Sequence, residues 1–445
     1  MPQDSNNFDV IILGAGVSGL ASAFFLSRSG LRVCLLDDYP SPGGNHISVN
    51  LNGFTFDIGS IFFFPDNPQF KMYPDSAKFF VPVRLEMSRI TPQGDVRPYP
   101  LSVRDELLKH PIVFLRSLAS LAFSRLAVKS DENAESYAIY HMGRYFYRRS
   151  GLENYLSRFY GVNPSSINMH FVGRRMNLAE LSKLRAIMRN LLKSMIRGRT
   201  STGCSKPSAL ARPPEGFSRH YERVAEVLRA QGVDIRCAAG LKGLRENEGG
   251  LEVNTVSGKL SAKRVLNTLP LKKVFELIGK PELVKLSSST LCTLCCSSSG
   301  PRNFQTAVLY NFHEDGAWKR LTMHSDYYGT RDGRDFFIVE VTLVDEKPEP
   351  HRLFDDFVAH VQQLGLFLGD IRLEGHMVLD FAYPVCDMQA EKHRIELIEL
   401  LEQSGIESIG RQGLFEYIPH SSIAIEAAHK RFGDGIPWVP FNGPM

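Results

Sequence analysis

Residues 9–38 read DVIILGAGVSGLASAFFLSRSGLRVCLLDD, and the order of patterns inside them decides the fold. Residues 9–13 are a short β-branched run. Gly14, Ala15, Gly16, Val17, Ser18 and Gly19 match G-x-G-x-x-G, residues 20–29 are helical in spacing, and residues 32–36 are a second apolar run. Strand, glycine turn, helix and strand in that order make a βαβ unit. The first glycine permits the tight turn, the second lets a pyrophosphate approach the backbone, and the third lets helix and strand pack closely. Asp37 follows Gly14 by 23 positions, at the end of the second run. A carboxylate there accepts hydrogen bonds from ribose hydroxyls, whereas NADP would favour a basic neighbour. The unit therefore reads as a dinucleotide-binding site.

Bulk properties narrow the remaining choices. The chain has 445 residues, 43% hydrophobic and 22% charged, enough for one large core or two. A net charge of +4 without a concentrated basic reading module argues against nucleic-acid binding. No apolar run approaches the roughly 18 residues of a membrane span, and MPQDSNNFDV lacks the character of a secretory signal, so a cytoplasmic location is expected. The seven cysteines are odd in number and scattered, which predicts reduced thiols. Cys292, Cys295 and Cys296 include a C-x-x-C spacing, but no second ligand pair matches it. No metal is expected there; a half-buried strand of small residues is.

Further along, residues 105–199 carry long helical stretches, with a turn at Gly161 to Pro164. A helix is expected over 217–230, a strand over 233–237, a hairpin through Gly249 and Gly250, and an apolar run at 265–271. The runs AVLYNF, DFFIVEVTL and MVLDFAY, with a helix near 355–363, predict a mixed sheet outside the nucleotide unit. Near the C-terminus, residues 410–430 place a glycine turn before a helix.

The stretches LLDDYPSPGGNHIS and FDIGSIFFFPDN resemble the FAD-dependent amine oxidase and protoporphyrinogen oxidase-like superfamily, closest in motif layout to UDP-galactopyranose mutase-like proteins. Residues 97–101, 154–175, 212–217, 265–271, Tyr383-Pro-Val and GRQGLFEY at 410–417 extend the resemblance over most of the chain. It implies a bound FAD, with pyrophosphate at Gly14 to Gly19 and ribose at Asp37, beside Asp38. Further contacts would come from Gly43, Gly44, Asn45, Thr268, Gly410, Arg411, Ser422 and Ile423. The implied fold class is α/β: a Rossmann-type, GR2-like FAD-binding domain, a mixed-sheet substrate domain and a helical insertion. The expected division is 1–100, 213–290 and 391–445 for the FAD-binding domain, 101–212 for the insertion and 291–390 for the substrate domain.

The substrate side departs from the mutase pattern. A histidine of the mutases aligns with residues 61–64, here IFFF ending in Phe64, and a tryptophan aligns near Tyr160. An acidic residue aligns near Pro419. Arg320 resembles an arginine reaching substrate and flavin, Tyr417 a tyrosine on substrate phosphate, and Arg174 or Arg175 is a further phosphate-ligand candidate. An apolar wall suits hydride removal better than it suits sugar hydroxyls, which would lose water without gaining partners. The leading expectation is thus an FAD-dependent oxidoreductase acting on a small or lipid-like biosynthetic substrate. The alternatives are a non-redox mutase-like isomerase acting on a nucleotide sugar and a flavin-binding protein without turnover. Residues 61–64 have the competing reading of plain core. His46, His324 and His420 are candidate proton carriers with no partner identifiable from sequence. From Leu181 through Arg199 the chain reads as a basic amphipathic helix, either a peripheral membrane contact or a helix packed on the substrate domain; residues 112–127 form a similar one.

Overall fold

A computed structural model of the chain describes residues 6–100, 111–168, 208–385 and 388–436. The residues fall into two compact units: 1–83, 208–286 and 389–445 in the first, 84–207 and 287–388 in the second.

The first unit is built on a seven-stranded sheet. Its strands run in the order Gly243–Asn247, Gly250–Thr255, Gly258–Asn267, Asn7–Leu13, Val33–Leu36 and Asp234–Arg236, with Ile406–Ser408 beside the end of Gly258–Asn267. Asn7–Leu13 is parallel to both of its neighbours. Strands covered on both faces need apolar side chains throughout, and Ile11, Ile12, Leu13, Leu35 and Leu36 are wholly buried. Helix Val17–Arg28 packs its Phe24 and Phe25 into the same core as Tyr221, Val224 and Leu228 of helix Ser218–Ala230. Helix Ser421–Phe432 packs along Val17–Arg28.

The second unit holds a seven-stranded sheet in the order Ile371–Pro384, Ser288–Ser298, Asp335–Leu343, Arg320–Met323, Val308–Asn311, Met87–Ile90 and Val96–Pro98. The three apolar runs picked out in the sequence are three of these strands. Residues 84–100 cluster here, because Met87–Ile90 and Val96–Pro98 form the edge of this sheet, while 208–212 cluster with the first unit through Ala209–Ala211. Cys292, Cys295 and Cys296 lie buried in the strand Ser288–Ser298. Among the described residues no group of three or more potential metal ligands comes together. The helices Pro111–Ala127, Ala134–Met142, Arg144–Arg149 and Leu152–Tyr160 belong to this unit. Arg174, Arg175, Cys204, Cys386 and residues 181–199 lie outside the described residues.

Candidate dinucleotide site

The turn after Asn7–Leu13 is made by glycines that serve different ends. Gly14 has φ +103°, and a Cβ on it would stand 2.4 Å from Thr268 Oγ1. A Cβ on Gly19 would stand 1.9 Å from the Gly14 carbonyl oxygen. Both positions are therefore glycine because the protein packs against itself. Gly16 is different. Its φ of −77° suits any residue, and the nearest atom to a Cβ there is Gly44 Cα at 3.7 Å. Gly16 also caps helix Val17–Arg28 with no side-chain hydrogen bond, and the first turn of that helix carries no acidic residue. The leading amides and the positive end of the helix dipole thus face an open seat suited to an anion.

Separate segments close around this seat. The Gly43 amide donates to the Ala15 carbonyl at 2.9 Å, and Gly44 lies against Gly16. Thr268 Oγ1 donates to the carbonyl of Leu13 at 2.8 Å. Gly410, at φ +81°, allows a close approach to Ser18, where a Cβ would fall 2.2 Å from the hydroxyl oxygen. Ser422 and Ile423 begin helix Ser421–Phe432, and Ile423 is exposed. Gly14 to Gly19, Gly43, Gly44, Thr268 and Gly410 are thereby assembled into one loop cluster.

Asp37 has a structural task in this cluster. Its Oδ2 accepts from the Ala15 amide at 2.6 Å and its Oδ1 from the Tyr39 amide at 2.8 Å. Burial pushes its carboxyl pKa up, against the lowering effect of the Tyr39 and Ala15 amides. The carboxylate locks the glycine turn to the end of the second strand, and each oxygen keeps a lone pair for a further donor. Asp38 is exposed and accepts from the Leu241 amide at 2.8 Å.

Residues 61–64 split between the two readings. Phe63 is 1% exposed and sits in the core, whereas Phe64 is 44% exposed and meets the His420 ring edge-on at 5.8 Å. Asn67 donates to Ser421 at 2.9 Å, so two segments some 350 residues apart in sequence are joined at the start of the last helix. The turn leading into that helix holds Phe415 at φ +49°, a strained conformation for a non-glycine residue, two positions before the buried Tyr417. His46 is enclosed by Phe217, Phe63 and Tyr221, and its Nδ1 pairs with the Tyr221 hydroxyl. Burial, helped by the nearby Arg411 charge, pulls its pKa down to about 4, which makes it a neutral packing group at ordinary pH.

Sequence reading missed the anchor beside the cluster. Asp57 and Arg212, 3% and 1% exposed, pair at 2.6 Å, and Arg212 also donates to the carbonyls of Thr55, Pro213 and Pro214. Arg212 was visible as a landmark, but nothing local in the sequence tied it to Asp57.

The second unit carries its own polar cluster. Arg320 faces Glu340 across the Arg320–Met323 and Asp335–Leu343 pair and donates to both carboxylate oxygens, at 2.7 and 2.9 Å. Lys319 Nζ lies 3.5 Å from Glu340, 4.3 Å from the ring centre of Tyr383 and 4.8 Å from that of Phe159. Tyr160 is buried, with its ring edge-on to Phe159. One acid within the apolar run DFFIVEVTL was the signal that could have revealed Glu340, since a carboxylate in a buried strand needs a cation.

A sheet whose central strands are parallel, a glycine turn opening an uncapped helix and a carboxylate locking that turn define a Rossmann-like dinucleotide-binding domain. Comparison with known proteins agrees. Residues 12–76 match the family of NAD(P)-binding Rossmann-like domains. The chain shares its fold with a reduced UDP-galactopyranose mutase, at a TM-score of 0.76 and 19% identity over 97% of both chains. It shares it also with a putrescine oxidase, at a TM-score of 0.62 and 14% identity over 96% of this chain and 98% of the other. A 4,4'-diapophytoene desaturase (4,4'-diapolycopene-forming) of Methylomonas sp is 29% identical over 118 residues, 20% of this chain and 23% of the desaturase. The chain spans less than a quarter of the length of the curated relatives it matches. The resemblance drawn from the motifs holds at the level of the fold.

Proposed function

We propose that the chain is an FAD-dependent oxidoreductase that removes hydride from a C–H bond of a small or lipid-like substrate. The observation that carries this reading is Gly16 at the helix start: its missing side chain answers no crowding within the protein, and the leading amides of helix Val17–Arg28 have no side-chain cap and no acid in the first turn. The first unit is then the FAD-binding domain and the second, with its helices, the substrate domain. FAD held at the glycine turn would supply two-electron redox chemistry, with oxygen or another acceptor as the final oxidant. The protein's share is positioning. Gly14 to Gly19 and the start of helix Val17–Arg28 hold the pyrophosphate, Gly43, Gly44 and Asn45 line its flank, and Asp37 fixes the turn while offering lone pairs to ribose. Gly410, Arg411, Ser422 and Ile423 supply the C-terminal wall, and Phe64 the apolar side. The local similarity to a desaturase, whose name denotes removal of hydrogen from carbon, supports the redox reading.

Gly16→Val is the direct test. A Cβ at this position meets no clash, so the apoprotein should melt within a few degrees of wild type, while the branched side chain obstructs the pyrophosphate seat. Wild-type protein should keep a flavin absorbance band through desalting, and Gly16→Val should lose it. Wild-type protein that never retains FAD, or a variant that retains it equally, overturns the reading.

A second reading is favoured by Arg320 and Tyr417 together with the full-length likeness to the mutase: a non-redox isomerase acting on a nucleotide sugar. Anaerobic bleaching of the flavin by substrate supports the oxidoreductase. Turnover that begins only after dithionite, with no net redox change, supports the isomerase.

A further inference from the structure

A surface helix ordinarily buries its apolar side and shows water its polar side. Helix Pro111–Ala127 in the second unit does the reverse. Its Ser117 and Ser124 are 4% and 2% exposed. Ser124 accepts from the Arg144 amide at 3.3 Å and Ser120 from the Tyr145 amide at 3.0 Å, so two serines cap the start of helix Arg144–Arg149, whose own cap residue is Gly143. The outer side carries Ile112, Leu115, Leu118, Phe123 and Leu126, exposed by 68, 64, 45, 71 and 90%. These are five of the fourteen large hydrophobics found exposed among the described residues, gathered on one helix. At 3.6 residues per turn, Ile112, Leu115, Phe123 and Leu126 share an arc of about 80°. With Leu118 the stripe widens to about 140°, Arg116 and Arg125 fall about 20° beyond its two edges, and no acidic residue occurs between 111 and 127.

We propose that this face docks the protein onto an anionic lipid bilayer, with the helix lying in the interfacial plane. The helix is not long and apolar enough to cross. Lying flat, it sinks its leucines and Phe123 among the acyl chains while both arginines reach up to the headgroups. Charge decides the occupant. A stripe with a cation on each edge and no acid finds countercharge along its whole length at an anionic surface, whereas a second copy would bring the same four arginines together. Docking needs no cofactor, so it stands whether or not the oxidoreductase reading does.

Flotation of the full chain with phosphatidylcholine vesicles, with and without phosphatidylglycerol, tests it. Wild type should float with the anionic vesicles. The double variant Phe123→Ser and Leu126→Ser should lose about tenfold or more in partitioning, since each exposed side chain contributes transfer free energy of this order. Arg116→Glu with Arg125→Glu should abolish the preference for anionic vesicles. All these side chains are exposed, so the variants should keep the wild-type circular dichroism and melting curve. Equal flotation of wild type and the serine variant overturns the proposal. So does a concentration-dependent dimer that the serine variant dissolves while wild type leaves vesicles untouched.

Discussion

At the scale of single residues, steric demand and chemical demand separate cleanly. Gly14 and Gly19 are set by atoms of the protein, whereas a Cβ on Gly16 would meet nothing closer than Gly44 Cα at 3.7 Å. Histidines offer a second case. Burial pulls the pKa of His46 to about 4, of His220 to about 3 and of His360 to about 4, below the ordinary value near 6.5. On acidification the unfolded chain takes up protons first, so stability is complete above pH 6.5 and declines as the pH falls toward 4. His46→Gln should flatten the dependence of the thermal midpoint on pH in that window by up to about one proton. The glycine turn and Asp37 were legible because the motif is local and its physics is carried by neighbours in sequence. The Asp57 and Arg212 pair was not, because its members lie 155 residues apart and only the fold brings them together.

At the scale of elements, strands were legible where both faces are covered. DFFIVEVTL became Asp335–Leu343, and the cysteine cluster settled inside Ser288–Ser298. Short strands such as Met87–Ile90 and the edge strand Val96–Pro98 gave too brief a pattern to place. Inside this sheet the pairing of Arg320 and Lys319 with Glu340 is buried, whereas Arg97 with Asp95 is exposed. Glu340→Ala strands two cations away from water and should lower unfolding stability by about 3–5 kcal/mol. Asp95→Ala should cost about 1 kcal/mol or less. Denaturant titration of the two variants checks the contrast. A similar drop in both would show that Glu340 is better hydrated than its burial indicates.

At the scale of the whole molecule, the chain passes between its two units four times, at 83, 207, 286 and 388. The segment after 388 contributes Ile406–Ser408 to the first sheet and lays helix Ser421–Phe432 along Val17–Arg28. Deleting residues 389–445 should therefore abolish cooperative melting of the first unit and flavin retention with it, as read by circular dichroism and absorbance. A sharp transition with bound flavin in the truncated chain would contradict this. The likeness in fold to the mutase extends over 97% of both chains and so includes all of these crossings.

The position of Asn7–Leu13 between Val33–Leu36 and Gly258–Asn267 also governs how the protein is born. One edge of that strand waits for a partner that leaves the ribosome roughly 250 residues later. At about 5–20 residues per second, this is an interval of about 12–50 s. During that time a nascent βαβ fragment presents a bare, aliphatic strand to its surroundings. An unpaired edge of this kind is the segment most open to mispairing until residues 258–267 emerge to cover it.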